Sequence, residues 1–274
     1  MRLITISTFL LLSVFSTLAA TTRVLAIGNS FSQDAVEQNL YELALAGGDT
    51  LIIGNAYIPG CQIDLHVENF ETDRPAYSYR KVVDGVKTTT PEMPLSKIIN
   101  DEQWDIITIQ QASHFSGLKA KYARLPELIA FVREKMPVKG TPIAWHATWS
   151  YARDARHDGF KNYGNSQKAM SDSIATIVAT VIPQNGIDLV IPAGVAIDNA
   201  RRIFGDVMNS DGYHLSELGR YTAACTWYEF LTGKSVKGNP YHPSTISPLQ
   251  ARSAQKAAHD AVSSLKKPCF KALK

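Results

Sequence analysis

Five short runs, residues 23–28, 51–56, 105–110, 142–147 and 188–191, are nearly continuous in apolar residues. Each is too short for a core helix and reads as a strand buried on both faces. Amphipathic stretches separate or follow them at 32–46, 123–135, 163–181, 216–231 and 248–265. A strand buried on both faces needs helices above and below it. The alternation therefore predicts an α/β chain, a three-layer α/β/α sandwich around a parallel sheet of about five strands. The 274 residues suit one domain of this kind, with no internal repeat. One segment breaks the rhythm: 76–90 is rich in Tyr, Thr and Val around Asp84-Gly85. Asp-Gly between β-formers predicts a hairpin inserted between core elements.

Residues 1–20 stand apart. A basic start, Met1-Arg2, precedes a mostly apolar run at 3–18 and the small pair Ala19-Ala20. This is the pattern of a signal peptide, too short for a comfortable membrane span. The expectation is a secreted or periplasmic protein whose single domain occupies 21–274, with no membrane span once the leader is removed. No cysteine follows the cleavage region, so no lipid anchor is indicated. The formal charge of +3, without a run of Lys or Arg, gives no reason to expect a nucleic-acid partner. The three cysteines, Cys61, Cys225 and Cys269, are an odd set. Cys225 and Cys269 are candidates for a bridge, beside the alternative of three unbridged thiols. No metal is expected, because no C-x-x-C, H-x-x-x-H or H-E-x-x-H spacing occurs. No cofactor is expected either, since no G-x-G-x-x-G follows the first strand.

In open α/β sheets, ligands bind beyond the carboxyl ends of the strands. Three motifs fall there. Gly28-Asn29-Ser30-Phe31-Ser32 follows the first predicted strand and opens a helix. Asn55-Ala56-Tyr57-Ile58-Pro59-Gly60-Cys61 follows the second. Asp211-Gly212-Tyr213-His214-Leu215-Ser216 precedes the helix at 216–231. Serine is a weak nucleophile without a base, histidine supplies one near neutrality, and an aspartate can orient the ring. Each motif also has a plain structural reading. Ser30 or Ser32 can be a helix N-cap, Asp211 and His214 can lie in a capping loop, and Gly60 can be a turn glycine.

The order and spacing of these blocks resemble the SGNH (GDSL-like) hydrolase superfamily over nearly the whole mature chain. Val24-Leu25-Ala26-Ile27-Gly28-Asn29-Ser30, Gln110-Gln111-Ala112-Ser113-His114 and Trp149-Ser150-Tyr151-Ala152 more closely resemble one branch of unknown function. That branch is the DUF4886 family, common in Bacteroidetes. The resemblance implies a flavodoxin-like sheet and ester hydrolysis through an acyl-enzyme. Ser30 would be the nucleophile, His214 the base, Asp211 its orienter, and the Ser30 and Gly60 N–H groups oxyanion donors. Activity would then rise through the range in which histidine ordinarily titrates. Two departures matter. Asn29 stands where the family has aspartate. The family's Gly-x-Asn-Asp block, whose asparagine completes the oxyanion hole, is missing. Glutamine offers the same donor chemistry, so Gln111, then Gln110, are the expected replacements, with Ser113 and His114 behind them.

Asn29, His66, His114, His146 and Trp149 are further candidates for the pocket wall. Trp149 with Tyr151 could stack on a sugar or pack in the core. Asn199, Arg201 and Arg202 end an expected helix and face either an acidic substrate or solvent. The leading expectation is an exported serine esterase acting on a small-molecule or glycan ester, with O-acetyl groups on a carbohydrate foremost. A lipid, acyl-ester or thioester hydrolase and a catalytically silent glycan-binding protein are the alternatives. A nucleotide- or flavin-binding domain ranks below them for want of glycines after the first strand. The acyl group, the oligomeric state and the cysteine pairing stay open.

Overall fold

The computed structural model describes residues 21–265. The expected leader at 1–20 and Cys269 lie outside them. The chain opens with β1 (Thr21–Gly28), α1 (Ser30–Val36), α2 (Leu40–Ala46), β2 (Thr50–Tyr57) and α3 (Ile63–Glu71). A hairpin follows, β3 (Tyr77–Val83) and β4 (Val86–Met93), then α4 (Leu95–Ile99), β5 (Ile106–Ile109), α5 (Leu125–Lys135) and β6 (Ile143–His146). The second half holds α6 (Gln167–Gln184), β7 (Leu189–Ile191), α7 (Ala193–Phe204), α8 (Glu217–Thr232) and α9 (Pro248–Ser263).

The described strands form one seven-stranded sheet in the order β4-β3-β2-β1-β5-β6-β7. The five strands expected from the apolar runs are the parallel part, β2-β1-β5-β6-β7. Alternate residues of β1 enter separate cores. Val24 and Ala26 pack with α1, α2, α7, α8 and α9, whereas Leu25 and Ile27 pack with α3, α4 and α5. Period-two alternation with both faces covered is what a doubly wound sheet requires. Helix α8 is buried almost all round, from Leu218 to Thr232. It is wedged between the sheet and α1, α2, α7 and α9.

The inserted hairpin extends the sheet rather than standing apart from it. β3 pairs antiparallel with β2, and the turn residues Asp84 and Gly85 both have positive φ, 52° and 76°. That is the backbone a two-residue hairpin turn needs. Exposed β4 ends the sheet, with Lys87 and Pro91 along it, both of which discourage further strand pairing.

The helix expected over 32–46 is two helices. Asn39 takes a left-handed backbone, φ 66°, and breaks it. Asparagine tolerates that conformation, and its Oδ1 accepts a hydrogen bond from the Tyr241 hydroxyl at 3.0 Å. Cys61 and Cys225 are buried free thiols, so neither is bridged within the described residues.

Candidate active site

The strand order reverses beside β1, between its parallel neighbours β2 and β5. The loops leaving the carboxyl ends of these three strands border one cavity of about 290 Å³, with Asn29, Ser30, Gly60, Ser113, His114 and His214 among its walls. Asn29 caps α1 with extended backbone, its Oδ1 accepting the Phe31 N–H. This places Ser30 as the first residue of the helix. Gly28 permits the sharp exit from β1, because a Cβ there would lie 2.8 Å from both the Gln110 side chain and Ser32 Oγ.

Ser30 Oγ lies 2.8 Å from His214 Nε2, and His214 Nδ1 lies 2.7 Å from Asp211 Oδ2. The other Asp211 oxygen accepts the N–H groups of Tyr213 at 3.0 Å and His214 at 2.8 Å. Burial pushes the Asp211 carboxyl up, but these hydrogen bonds outweigh it and hold the group below the ordinary aspartate value. The ionised carboxylate claims a proton on Nδ1, so neutral His214 presents a bare Nε2 to the serine.

The loop carrying Asp211 and His214 is tied down from several sides. Asp34, on the same helix as Ser30, accepts the Leu215 N–H at 2.7 Å and Arg220 Nε at 2.9 Å. Trp149 Nε1 donates to the Tyr213 carbonyl at 2.9 Å while its ring stacks on Phe31 at 4.4 Å. Ala152 N–H donates to the Gly212 carbonyl at 2.8 Å. Gly212 has φ 94°, and a Cβ there would press on Ala155 at 3.0 Å, so glycine is needed. Asp34 was missed in the sequence. Its signal was the spacing Ser30-x-x-x-Asp34, one turn apart on one helix face.

The Ser30 and Gly60 N–H groups have no acceptor among the described residues. Gly60 has φ 61°, and no atom lies within 4 Å of where its Cβ would be. The expected glutamines do not join these two N–H groups. Gln111 Oε1 accepts the N–H groups of Ile63 and Ala112, and its Nε2 donates to the Lys121 carbonyl at 2.7 Å. Gln110 Nε2 donates to Asn29 Oδ1 and its Oε1 faces His146 Nδ1, both at 2.7 Å. Both carboxamides are buried, and neither residue borders the cavity. Asn29 also reaches across the hole, since its Nδ2 donates to the Cys61 carbonyl at 2.9 Å.

Of the other wall candidates, Asn29 and His114 border the cavity; His66, His146 and Trp149 do not. His66 is buried on α3, its Nδ1 2.8 Å from the Tyr77 hydroxyl, and burial lowers its pKa to about 3. Burial likewise lowers His146 to about 3. Tyr151 is fully buried in the core. The Arg201 side chain is mostly buried rather than solvated. Its guanidinium holds Ser150, Asn209 and Asp198 together. It helps border a larger, open depression of about 730 Å³ that contains none of Ser30, Asp211 and His214.

Tyr57, Pro59, His157 and Tyr213 complete much of the cavity wall and were not singled out in the sequence. His157 Nδ1 accepts the Gly159 N–H at 3.0 Å, so the neutral ring carries its proton on Nε2. Partial burial lowers the pKa of both His114 and His157. Among the described residues no group of three or more His, Cys, Asp or Glu is placed to hold a metal ion, and no helix is long and apolar enough to cross a membrane.

The model of a domain of unknown function, DUF4886, matches residues 23–261. A DUF4886 family protein from Bacteroides uniformis, known from a crystal structure, is similar at 50% identity and TM-score 0.88, over 93% of this chain and 99% of that one. A putative SGNH hydrolase from Slackia heliotrinireducens is similar at 19% identity and TM-score 0.52, over 77% and 98% respectively. Its likeness shows the fold, an α/β sheet of the SGNH hydrolase kind. Among curated proteins none matches the chain.

Proposed function

The chain belongs to the DUF4886 family, and on that premise we propose that it is an exported serine esterase that removes small acyl groups, acetyl foremost, from a carbohydrate. The observation that carries the reading is the unbroken line Asp211–His214–Ser30, with contacts of 2.7 and 2.8 Å, ending in a cavity that two uncommitted N–H groups border.

Ser30 Oγ attacks the ester carbonyl carbon as its proton passes to His214 Nε2. The carbonyl π pair moves onto oxygen, where the Ser30 and Gly60 N–H groups meet the developing charge. Each such donor is worth about 3 kcal/mol in the transition state. The tetrahedral intermediate collapses, the alcohol leaves with the proton from His214, and the acyl group stays on Ser30. Water then attacks the acyl-enzyme by the same route and releases the carboxylic acid. Asp211 holds the ring and stabilises the imidazolium.

The cavity's size and lining support a small acyl group. At about 290 Å³, with Tyr57, His114, His157 and Tyr213 around it, it is small and bordered by rings with polar tips. Aromatic rings with polar tips suit a sugar face and its hydroxyls. The leader-like residues 1–20 support action outside the cytoplasm.

The test is hydrolysis of p-nitrophenyl acetate and release of acetate from O-acetylated polysaccharides, beside labelling with a fluorophosphonate. Ser30→Ala should keep the melting midpoint and lose turnover and label together. Turnover undiminished in Ser30→Ala would reject the nucleophile, and release from lipid esters alone would reject the carbohydrate substrate.

A further inference from the structure

We propose that the Ser113 hydroxyl is the third donor to the oxyanion, aimed by the buried phenol of Tyr151; the assignment rests on the serine-esterase reading. β5 lies beside β1 in the sheet, and the chain leaves it through Gln110, Gln111 and Ala112 into a 3₁₀ turn at Ser113–Phe115. The donor missing from the family's asparagine position is needed at this sheet edge. Both glutamine carboxamides are committed elsewhere. Ser113 borders the cavity together with Ser30, Gly60 and His214.

The proton inventory fixes the direction of its one side-chain hydrogen bond. Ser113 Oγ and the Tyr151 hydroxyl lie 2.8 Å apart, and each is the other's only side-chain partner among the described residues. Tyr151 is fully buried, at 0% exposure. Burial pushes its phenol well above the ordinary tyrosine value, so the proton stays on. Were Ser113 the donor, the phenolic proton would be stranded in the core without an acceptor, against the rule that buried donors find partners. Tyr151 therefore donates to Ser113. The serine's own proton has no acceptor among the described residues and is left for an oxygen in the cavity. A hydroxyl that accepts one hydrogen bond donates a second one more strongly. Tyr151 is thus a positioning residue, and Ser113 the catalytic one.

His157, with its proton on Nε2, is the competing donor on the same wall. The test compares Ser113→Ala, Ser113→Thr, Tyr151→Phe and His157→Phe in the full chain. The readouts are kcat and KM on p-nitrophenyl acetate, inhibition by a phenylboronic acid that forms a tetrahedral adduct on Ser30, and the melting midpoint. Ser113→Ala should lower kcat about 10²-fold, leave KM within about threefold, and weaken boronate inhibition in proportion to kcat. Ser113→Thr, which keeps the hydroxyl, should recover most of kcat. Tyr151→Phe should lose less, about tenfold, because Ser113 keeps its proton but loses its aim. An active wild type whose Ser113→Ala variant stays within about twofold in kcat and boronate affinity overturns the assignment alone. So does a large loss in His157→Phe without one in Ser113→Ala. A Ser113→Ala chain that does not fold shifts the decision to Ser113→Thr and Tyr151→Phe. There, full activity in Tyr151→Phe together with inactive, folded Ser113→Thr overturns it. A wild type that neither turns over esters nor takes the fluorophosphonate overturns the esterase reading, and this assignment with it.

Discussion

Asn29→Asp introduces the residue found at this position in the SGNH pattern that the sequence resembles, and here it should be destabilising in a way that depends on pH. The native side chain is 1% exposed and makes three hydrogen bonds. Oδ1 accepts from Phe31 N–H and Gln110 Nε2, and Nδ2 donates to the Cys61 carbonyl. An ionised aspartate keeps the two acceptor contacts. It turns the third into an oxygen facing a carbonyl oxygen and leaves that carbonyl without a donor, which costs about 1–3 kcal/mol. Holding the charge in the core adds several kcal/mol, and the helix N-terminus returns at most about 1 kcal/mol. The cheaper state is therefore the protonated acid, whose O–H can donate to Cys61. Keeping a carboxyl neutral costs about 1.4 kcal/mol for each pH unit above its ordinary value of about 3.9.

The destabilisation should thus be about 1.5 kcal/mol at pH 5 and about 3–5 kcal/mol at pH 8, where the buried ion sets the ceiling. The sign follows from linkage. A carboxyl raised on folding contributes stability below its unfolded value and loses it as pH rises towards the folded one. Thermal unfolding of both proteins at pH 5, 6.5 and 8 reads this directly. The gap in melting midpoint should widen by about 4–8 °C between pH 5 and 8. A gap that is constant, or that narrows at high pH, would refute the reasoning and mean that the core tolerates the carboxylate.

Four further outcomes follow from the site. Asp211→Asn presents an amide N–H to His214 Nδ1, puts the ring proton on Nε2 and removes the base; kcat on p-nitrophenyl acetate should fall by as much as about 10⁴-fold. Because native Asp211 is held below its ordinary value, its stabilising effect is present above about pH 4 and lost as pH falls through the lower folded value. The melting gap between wild type and Asp211→Ala should shrink as pH falls below about 4. Gly60→Ala meets no atom within 4 Å but must adopt φ 61°, so the melting midpoint should drop by about 2–4 °C, with kcat changed less than about tenfold. Trp149→Phe removes the donor to the Tyr213 carbonyl, which Asn209 Nδ2 still serves at 3.0 Å. It should cost about 1 kcal/mol in unfolding titrations and lower kcat more than it raises KM.

The parallel sheet was legible because its strands are buried on both faces and so read as continuous apolar runs. The hairpin was legible because Asp84-Gly85 can hold two positive φ angles in succession. Helix α3 was not read, although Ile63, Val67 and Phe70 carry a helical period, because it is short and follows a loop that drew attention as a ligand site. The break at Asn39 left no mark in the apolar pattern, since α1 and α2 bury the same side of the chain against α8. Ser30, Gly60, Asp211 and His214 could be nominated because each sits where a strand ends or a helix begins. Which residue after β5 faces the cavity could not be, because that depends on side-chain direction beyond the strand.

The two departures from the pattern that the sequence resembles meet in one hydrogen-bonded chain. Gln110 leaves β5 on the face that packs against α8, where His146 lies 5.0 Å from the Trp227 ring. From His146 Nδ1 the hydrogen bonds run to Gln110 Oε1, from Gln110 Nε2 to Asn29 Oδ1, and from Asn29 Nδ2 to the Cys61 carbonyl. Every link needs a neutral group with both a donor and an acceptor, and burial keeps His146 neutral by lowering its pKa to about 3. With Nδ1 protonated, its Nε2 is a bare acceptor. The chain joins the turn that carries Ser30 to the loop that carries Gly60, so it sets the spacing of their two N–H groups. An ionised aspartate at 29 would break it at the last link. Gln110 therefore follows β5 where the resembled pattern has its asparagine, but its carboxamide is bound between His146 and Asn29 instead of facing the cavity, which Ser113 borders.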